Sequence, residues 1–384
     1  MTSETGPGQG GMSLNPTSLL GTDRGLGRQF TSTVVAILLG LIVGALLIWL
    51  SSALSEDGFQ LDLPLAAYLS LLQGSLGNER GWANTFNAAT PLILTGLSVA
   101  FGFRAGLFNI GAQGQFFLGA FGAAILGTTV GIPFPLHVIW TLVGGFLFGA
   151  FWGFIPGLLK AWRGAHEVVV TIMLNSVAAL SLNWLAGVVF RDPAATFPRT
   201  SDVEGSALLP ILLEGTRMHA GILIAVGAAL AVWFLLFKTT LGFEIRTVGA
   251  NPSAARYAGI RPARITVLTM SLAGGLAGTA GAIEILGITK NYPAEYNTTY
   301  GFDGIAVALL GRAHPFGVVG AALLFAVLRA GSGAMQRETG IPVDIISIVQ
   351  GAIILFVAAE MVIRRFLPGG RRATGGAAAA PSAA

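Results

Sequence analysis

The residues able to do chemistry in this chain are few, and most of them sit inside apolar runs. There is no cysteine, and the four histidines, His137, His166, His219 and His314, are scattered. Thiol catalysis, disulfides and cysteine-ligated metals are therefore excluded, and no histidine cluster suggests a metal site. No GxxxxGK[ST] run offers a phosphate cradle, and neither HExxH nor GxSxG occurs. The expectation is no catalytic residue, no metal and no cofactor, so any energy drawn from ATP must enter through another chain. What remains is a set of amides and one acid. Asn109, Gln113 and Gln115 stand in RAGLFNIGAQGQFFLGA, where Gly106, Gly111 and Gly114 favour a broken helix. Asn175 and Asn183 lie two turns apart on one helix face. Glu284 is alone in its apolar run, and an ionisable group at bilayer depth marks a functional site. Amides both donate and accept, which suits a neutral, hydroxyl-rich solute. Asn109, Gln113, Gln115, Asn175 and Glu284 are thus the candidate lining of a polar substrate path. The same amides would serve equally as helix-to-helix hydrogen bonds, and Glu284 would be wet if it reached the outer interface. Residue type alone leaves both roles open.

The elements that must position these residues are membrane helices. The chain is 53% hydrophobic and only 10% charged, against about 25% charged in a soluble domain. Its mean hydropathy is +0.73. A surface that apolar needs lipid around it. Runs long enough to cross a bilayer, about 20 residues each, occupy 33–54, 136–158, 167–190, 219–237, 265–287 and 342–363. Two longer stretches, 88–129 and 302–334, are broken near Arg104 and near Arg312 and Pro315, and each reads as two segments joined at a tight turn. The expected fold is an all-α polytopic bundle of about ten membrane segments, with 302–312 too short to span unaided.

Charge sets the orientation. Arg104, Lys160, Arg163, Arg246, Arg264, Arg312, Arg364 and Arg365 fall on one side and far fewer basic residues on the other, so both termini are expected in the cytoplasm. The formal charge of +4 follows from this asymmetry and does not suggest nucleic acid. Residues 1–32 read as a flexible cytoplasmic tail without a cleavable signal peptide, 33–366 as the permeation domain, and 367–384 as a disordered cytoplasmic tail. GLSVAFGFRAGLF from Gly96 aligns with GIAVALLGRAHPF from Gly304 at constant offset, as an internal repeat would. Gly145, Gly149, Gly153 and Gly157 form a small-residue stripe for close helix packing.

The segment 238–264 is the most informative polar stretch. Asn251 then Pro252 is a helix start, and Gly259 is a stop. The short helix between them carries small Ala254, Ala255 and Ala258, which suits docking into a cleft of another protein. An ordinary amphipathic connector would have much the same look.

Four stretches carry a resemblance: NIGAQGQF (109–116), HEVVVTIMLN (166–175), GFEIRTVGANPSAARYAGI (242–260) and GFDGIAVALLGRAHPFG (301–317). From Ala88 to Arg365 the chain resembles permease subunits of bacterial ABC importers of the branched-chain amino acid/ribose type. Within that group it is most similar to the nucleoside (guanosine-type) permeases that work with a BMP-type lipoprotein. The resemblance implies a multi-pass protein of the bacterial inner membrane that translocates nucleosides. It implies a second permease, two ABC ATPase subunits on the cytoplasmic face and an extracytoplasmic BMP-type substrate-binding lipoprotein as partners. It also makes the 250–259 helix an ATPase-coupling helix, with Gly249, Asn251, Pro252, Ala254, Ala255, Arg256 and Gly259 as the coupling residues. An acid is expected in the family pattern where this chain has Gln113, so a charge is missing there. A permease for sugars or branched-chain amino acids, and an ion-coupled secondary transporter, are the alternatives.

Overall fold

A computed structural model describes residues 26–54 and 58–366. Of the expected tails 1–32 and 367–384, residues 1–25 and 367–384 lie outside the described residues, while 26–32 belong to the first helix. In chain order the helices are α1 (Leu26–Ala53), α2 (Leu63–Leu76), α3 (Glu79–Arg104), α4 (Ala112–Gly127), α5 (Leu136–Arg163), α6 (Glu167–Trp184) and α7 (Gly221–Lys238). There follow α8 (Thr240–Ala250), α9 (Pro252–Tyr257), α10 (Pro262–Glu284), α11 (Tyr300–Leu310), α12 (Pro315–Thr339) and α13 (Asp344–Phe366). Among the described residues there is no strand, only isolated bridges such as Arg191 with Thr200. Both α6 and α10 run on into one π-turn, Leu185–Val189 and Ile285–Thr289.

Among the described residues, seven helices are long and apolar enough to cross a membrane. The three expected segments not among them are α4, with 16 residues, α11, with 11, and α13, whose apolar part is Asp344–Ala359, all short of the roughly 20 a span requires. The count of ten is therefore not reached on length and composition, although each of the ten expected segments contains a helix. Two helices went unanticipated. The 14 residues of α2 are too few for a span-length criterion to detect, and α8 lies in a polar stretch read as loop. The membrane assignment itself is visible on the outer faces. Leu38, Ile42, Leu46 and Leu50 of α1, at every fourth position, are each more than half exposed. An unbroken apolar stripe of this kind needs hydrocarbon against it.

The chain divides into two compact units. In residues 24–74 with 331–384, α1 packs on α13: a Cβ added at Gly40 would lie 2.3 Å from Ile353 Cγ1. Tyr68 Oη donates to the Leu41 carbonyl at 2.6 Å in the same unit. In residues 75–330, α3 and α10 form the centre, packed with α4, α5, α7 and α11. The glycine stripe on α5 faces α10. A Cβ on Gly149 would come 2.3 Å from the Gly274 oxygen, and one on Gly278 2.3 Å from the Gly145 oxygen. The two backbones touch, which only glycine on both sides permits.

The two broken stretches lie side by side. Gly96 of α3 packs on Val307 of α11, and Gly304 of α11 packs on Thr95 of α3. Their turns differ in how they close. Gly106 (φ +72°) turns the first, whereas Arg312 (φ +53°) and Ala313 (φ +50°) turn the second without glycine. A left-handed residue with a Cβ costs about 1–2 kcal/mol. Arg104 Nε donates to the Ala313 carbonyl at 2.8 Å and so ties the two turns together.

Candidate functional site

The broken helices leave backbone groups that a span cannot give to water, and the buried amides are spent on them. Asn175 Oδ1 accepts from Gly114 N at 2.8 Å, an N–H in the first turn of α4 with no partner inside its own helix. Its Nδ2 donates to the Ile110 carbonyl at 3.0 Å, just before the same helix. Gln113 does the corresponding service for α11. Its Oε1 accepts from Gly301 N at 2.8 Å and its Nε2 donates to the Thr298 carbonyl at 2.6 Å. Asn109 and Gln115 close a reciprocal pair. Asn109 Nδ2 donates to Gln115 Oε1 at 2.8 Å and Gln115 Nε2 returns a bond to Asn109 Oδ1 at 3.0 Å. Asn109 also donates to Ser98 Oγ on α3 at 3.1 Å. The four amides thus come together around the α3–α4 break with their side-chain groups engaged by the chain itself. Asn183, on the same face of α6 as Asn175, accepts from Glu295 N at 2.9 Å.

Glu284 is placed differently. It ends α10 at 9% exposure, and its carboxylate accepts no hydrogen bond and forms no ion pair among the described residues. Its charge is felt by Tyr296 and Tyr300. Arg329 also acts on it from beyond ion-pair distance. That guanidinium pairs instead with Asp303 at 3.0 Å and lies over the Tyr300 ring at 4.3 Å. Phe116 of α4 touches both Tyr296 and Tyr300, with centroids 6.2 and 5.9 Å apart, and Phe117 touches Tyr296 at 6.0 Å. Burial, then the negative charge of Glu284, pushes the Tyr296 phenol up, so it remains protonated. None of these neighbours was singled out from sequence. The available signal was the spacing of Tyr292, Tyr296 and Tyr300, three of only five tyrosines, at intervals of one helical turn.

The polar stretch after α7 builds a second feature. Thr239 caps α8, its hydroxyl accepting from Gly242 N at 3.1 Å. Asn251 caps α9, its Oδ1 accepting from Ser253 N and Ala254 N at 2.9 and 3.0 Å. Gly259 ends it at φ +80°. The expected 250–259 helix is therefore present, shortened to one and a half turns. Pro252, Ala254, Arg256 and Ala258 are exposed. Ala255, expected beside them, is fully buried and belongs to the inner face. Tyr257, not anticipated, is 96% exposed. Behind α9, Gly249 of α8 meets the turn after α3: a Cβ there would lie 2.2 Å from the Arg104 oxygen. Arg104 and Arg246 both lie over Phe237, at 5.4 and 5.3 Å. His314 stacks on the same ring at 5.5 Å, held below the usual imidazole range by burial and then by the Arg104 charge.

A family model described as the permease component of branched-chain amino acid transport systems matches residues 81–358. The chain belongs to this permease family. Its relatives agree over nearly their whole lengths. The guanosine ABC transporter permease NupP of Bacillus subtilis is 41% identical over 86% of this chain and 93% of that protein. The nucleoside ABC transporter permease NupB of Lactococcus lactis is 35% identical over 89% and 94%. A glucose ABC transporter permease of Haloferax volcanii is 32% identical over 88% and 90%. The match takes in the α3–α4 break, Glu284 and α8–α9, so the capped breaks and the projecting helix are features of an ABC transporter permease subunit. As a permease it is a multi-pass membrane protein, and the relatives named above are permease subunits of ABC transporters.

Proposed function

We propose that this permease moves nucleosides inward across the bacterial inner membrane as one of two permeases in an ABC importer. The observation that carries the reading is Glu284, a buried carboxylate without a hydrogen-bond partner, beside aromatic rings and within a transport permease. Neutral solutes rich in N–H and O–H donors meet that need, and two relatives are named for nucleosides. A glucose relative keeps sugars as the second reading. The path runs past Glu284 and Gln113. Asn109, Gln115 and Asn175 hold its wall by bracing the α4 start, so their substitution deforms the path rather than removing a solute contact.

In this reading α9 couples the permease to an ABC ATPase in the cytoplasm. Asn251, Pro252 and Gly259 shape the helix, Ala254, Arg256 and Tyr257 meet the ATPase, Ala255 seats the helix from beneath, and Gly249 passes movement to the Arg104 turn. A BMP-type lipoprotein delivers substrate from outside. Ten segments cross or enter the bilayer, and both termini are cytoplasmic, in keeping with Arg104, Arg163, Arg246 and Arg264 on one side.

The test is uptake of labelled nucleosides, glucose and leucine by a strain lacking this gene and by the complemented strain. Loss of nucleoside uptake alone supports the reading, and loss of glucose or leucine uptake alone overturns it. Uptake that persists without any ABC ATPase would instead favour an ion-coupled carrier. Reporter fusions at the C-terminus active only outside the cytoplasm would overturn the orientation.

A further inference from the structure

Arg329 is a charge at a depth where few charges are tolerated. It is the fifteenth of the 25 residues of α12, a helix long and apolar enough to cross a membrane. At 1.5 Å per residue it stands about 21 Å from one end of that helix and about 15 Å from the other. An arginine near a helix end snorkels to the interface, but one this deep cannot. Its ion-pair partner, Asp303, lies in the first turn of α11 at 3.0 Å. Neither side chain is sealed inside the bundle: Arg329 is 37% exposed and Asp303 27%. Phe302 and Thr299, on the same face of α11, are exposed as well.

Charged residues within spans face either the bundle interior or a water-filled cavity. Exposure removes the first choice, and charge removes hydrocarbon as the neighbour. The exposed stripe of α1 shows the contrast, since Leu38, Ile42, Leu46 and Leu50 are all apolar. The hydrogen bonds point the same way. Thr299 Oγ1 and Arg329 Nη1 both donate to Asp303 Oδ2, at 2.9 and 3.0 Å, while Oδ1 accepts nothing among the described residues. A carboxylate oxygen left open needs a donor, and water or a solute in water supplies one. The face is also held in place. Gln113 fixes the start of α11 through Gly301 N and the Thr298 carbonyl, and the Tyr300 ring lies between Arg329 at 4.3 Å and Phe116 at 5.9 Å.

We propose that the α11 face bearing Thr299, Phe302 and Asp303, together with Arg329, is a wall of the water-filled solute path, and that the open Asp303 oxygen is a point of solute contact. The wall requires only that this chain is a transport permease, whereas the contact rests on the nucleoside reading. The ion pair has no net charge, and its open oxygen takes donors only. It suits a neutral solute with O–H or N–H groups. A cationic solute would compete with Arg329 for Asp303, and an anionic one with Asp303 for Arg329.

The chain contains no cysteine, so a single thiol can be placed at will. The whole importer, with ATPase, second permease and lipoprotein, is reconstituted in proteoliposomes carrying Thr299→Cys or Phe302→Cys. Ile42→Cys and Leu46→Cys are the lipid-facing controls. A charged methanethiosulfonate is supplied on both sides, without nucleotide and with a non-hydrolysable ATP analogue, and labelling is read from the mass of the permease chain. Thr299→Cys and Phe302→Cys should label about tenfold or more faster than the controls in at least one state, and saturating guanosine should slow them. Labelling as slow as the controls in both states places the face against lipid or the second permease and overturns the wall. Fast labelling that guanosine leaves unchanged, in an importer that transports guanosine, overturns the solute contact. Asp303→Asn combined with Arg329→Gln removes both charges together and should raise the guanosine KM for uptake about tenfold. A wild-type KM in that variant makes the pair structural and likewise overturns the contact. An importer that moves no nucleoside overturns the nucleoside reading instead, while the labelling rates still decide the wall.

Discussion

Replacing Gly249 by alanine adds one methyl group at the place where α8 bears on the turn after α3. The added Cβ would lie 2.2 Å from the Arg104 oxygen and 2.9 and 3.0 Å from the Ala105 carbonyl carbon and Cα. All three are backbone atoms, so no side-chain rotation relieves the clash. Ordinary contact needs about 3.4 Å, hence the helix and the turn must part by about 1 Å, at an overpacking cost of about 1–3 kcal/mol. That corresponds to roughly 5- to 150-fold in the population of the docked arrangement. Because Arg104 Nε also holds the Ala313 carbonyl at 2.8 Å, the displacement loosens both broken-helix turns together. Gly259→Ala is the control. Its φ of +80° makes alanine strained, but no atom lies within 4 Å of the new Cβ, so it perturbs α9 without touching the turns. The assay measures three quantities on purified complexes: ATPase co-purification, ATP hydrolysis and uptake. Gly249→Ala should keep the ATPase bound and lower uptake per ATP hydrolysed by about tenfold, while Gly259→Ala leaves that ratio near wild type. Normal uptake per ATP in Gly249→Ala would refute transmission through this contact.

Three further outcomes follow from the same geometry. Tyr257→Ser or Ala254→Trp should weaken ATPase co-purification without changing the thermal midpoint of the permease, whereas Ala255→Leu, which overpacks a fully buried site, should lower that midpoint by about 1–3 kcal/mol of stability. Asn175→Leu leaves Gly114 N and the Ile110 carbonyl unpaired and should cost about 1–3 kcal/mol in denaturant melts, against less than that for Asn183→Leu on the same helix. His219, buried before α7, is lowered by desolvation to about 4. The folded chain therefore refuses a proton that the unfolded chain takes up near pH 6.5, so stability is full above that pH and falls on acidification towards pH 4. The loss is about 2 kcal/mol by pH 5. His219→Gln should flatten the drop in thermal midpoint between pH 7 and pH 5, and an unchanged slope would contradict the assignment.

Much of the architecture was legible locally. Hydrocarbon is the solvent, so length and apolarity alone mark α1, α5, α6, α7 and α10, and glycine marks the stripe where α5 meets α10. The breaks at Arg104 and Arg312 were readable because charge and proline cannot continue an apolar span. Asn251, Pro252 and Gly259 announced α9 because caps and stops act within a few residues. What could not be read was the answer to questions of partnership. An amide in a membrane helix has the same type whether it meets a solute or a backbone carbonyl, and only the folded chain assigns Asn175 to Gly114 and Gln113 to Gly301, 188 residues away. Ala254 and Ala255 are identical in kind, and only packing buries one and exposes the other. Glu284 was conspicuous from sequence as a lone acid, but its environment was not. Tyr296 and Arg329 reach it from elsewhere in the chain, and contacts between distant segments follow from tertiary packing rather than from any pattern within one helix.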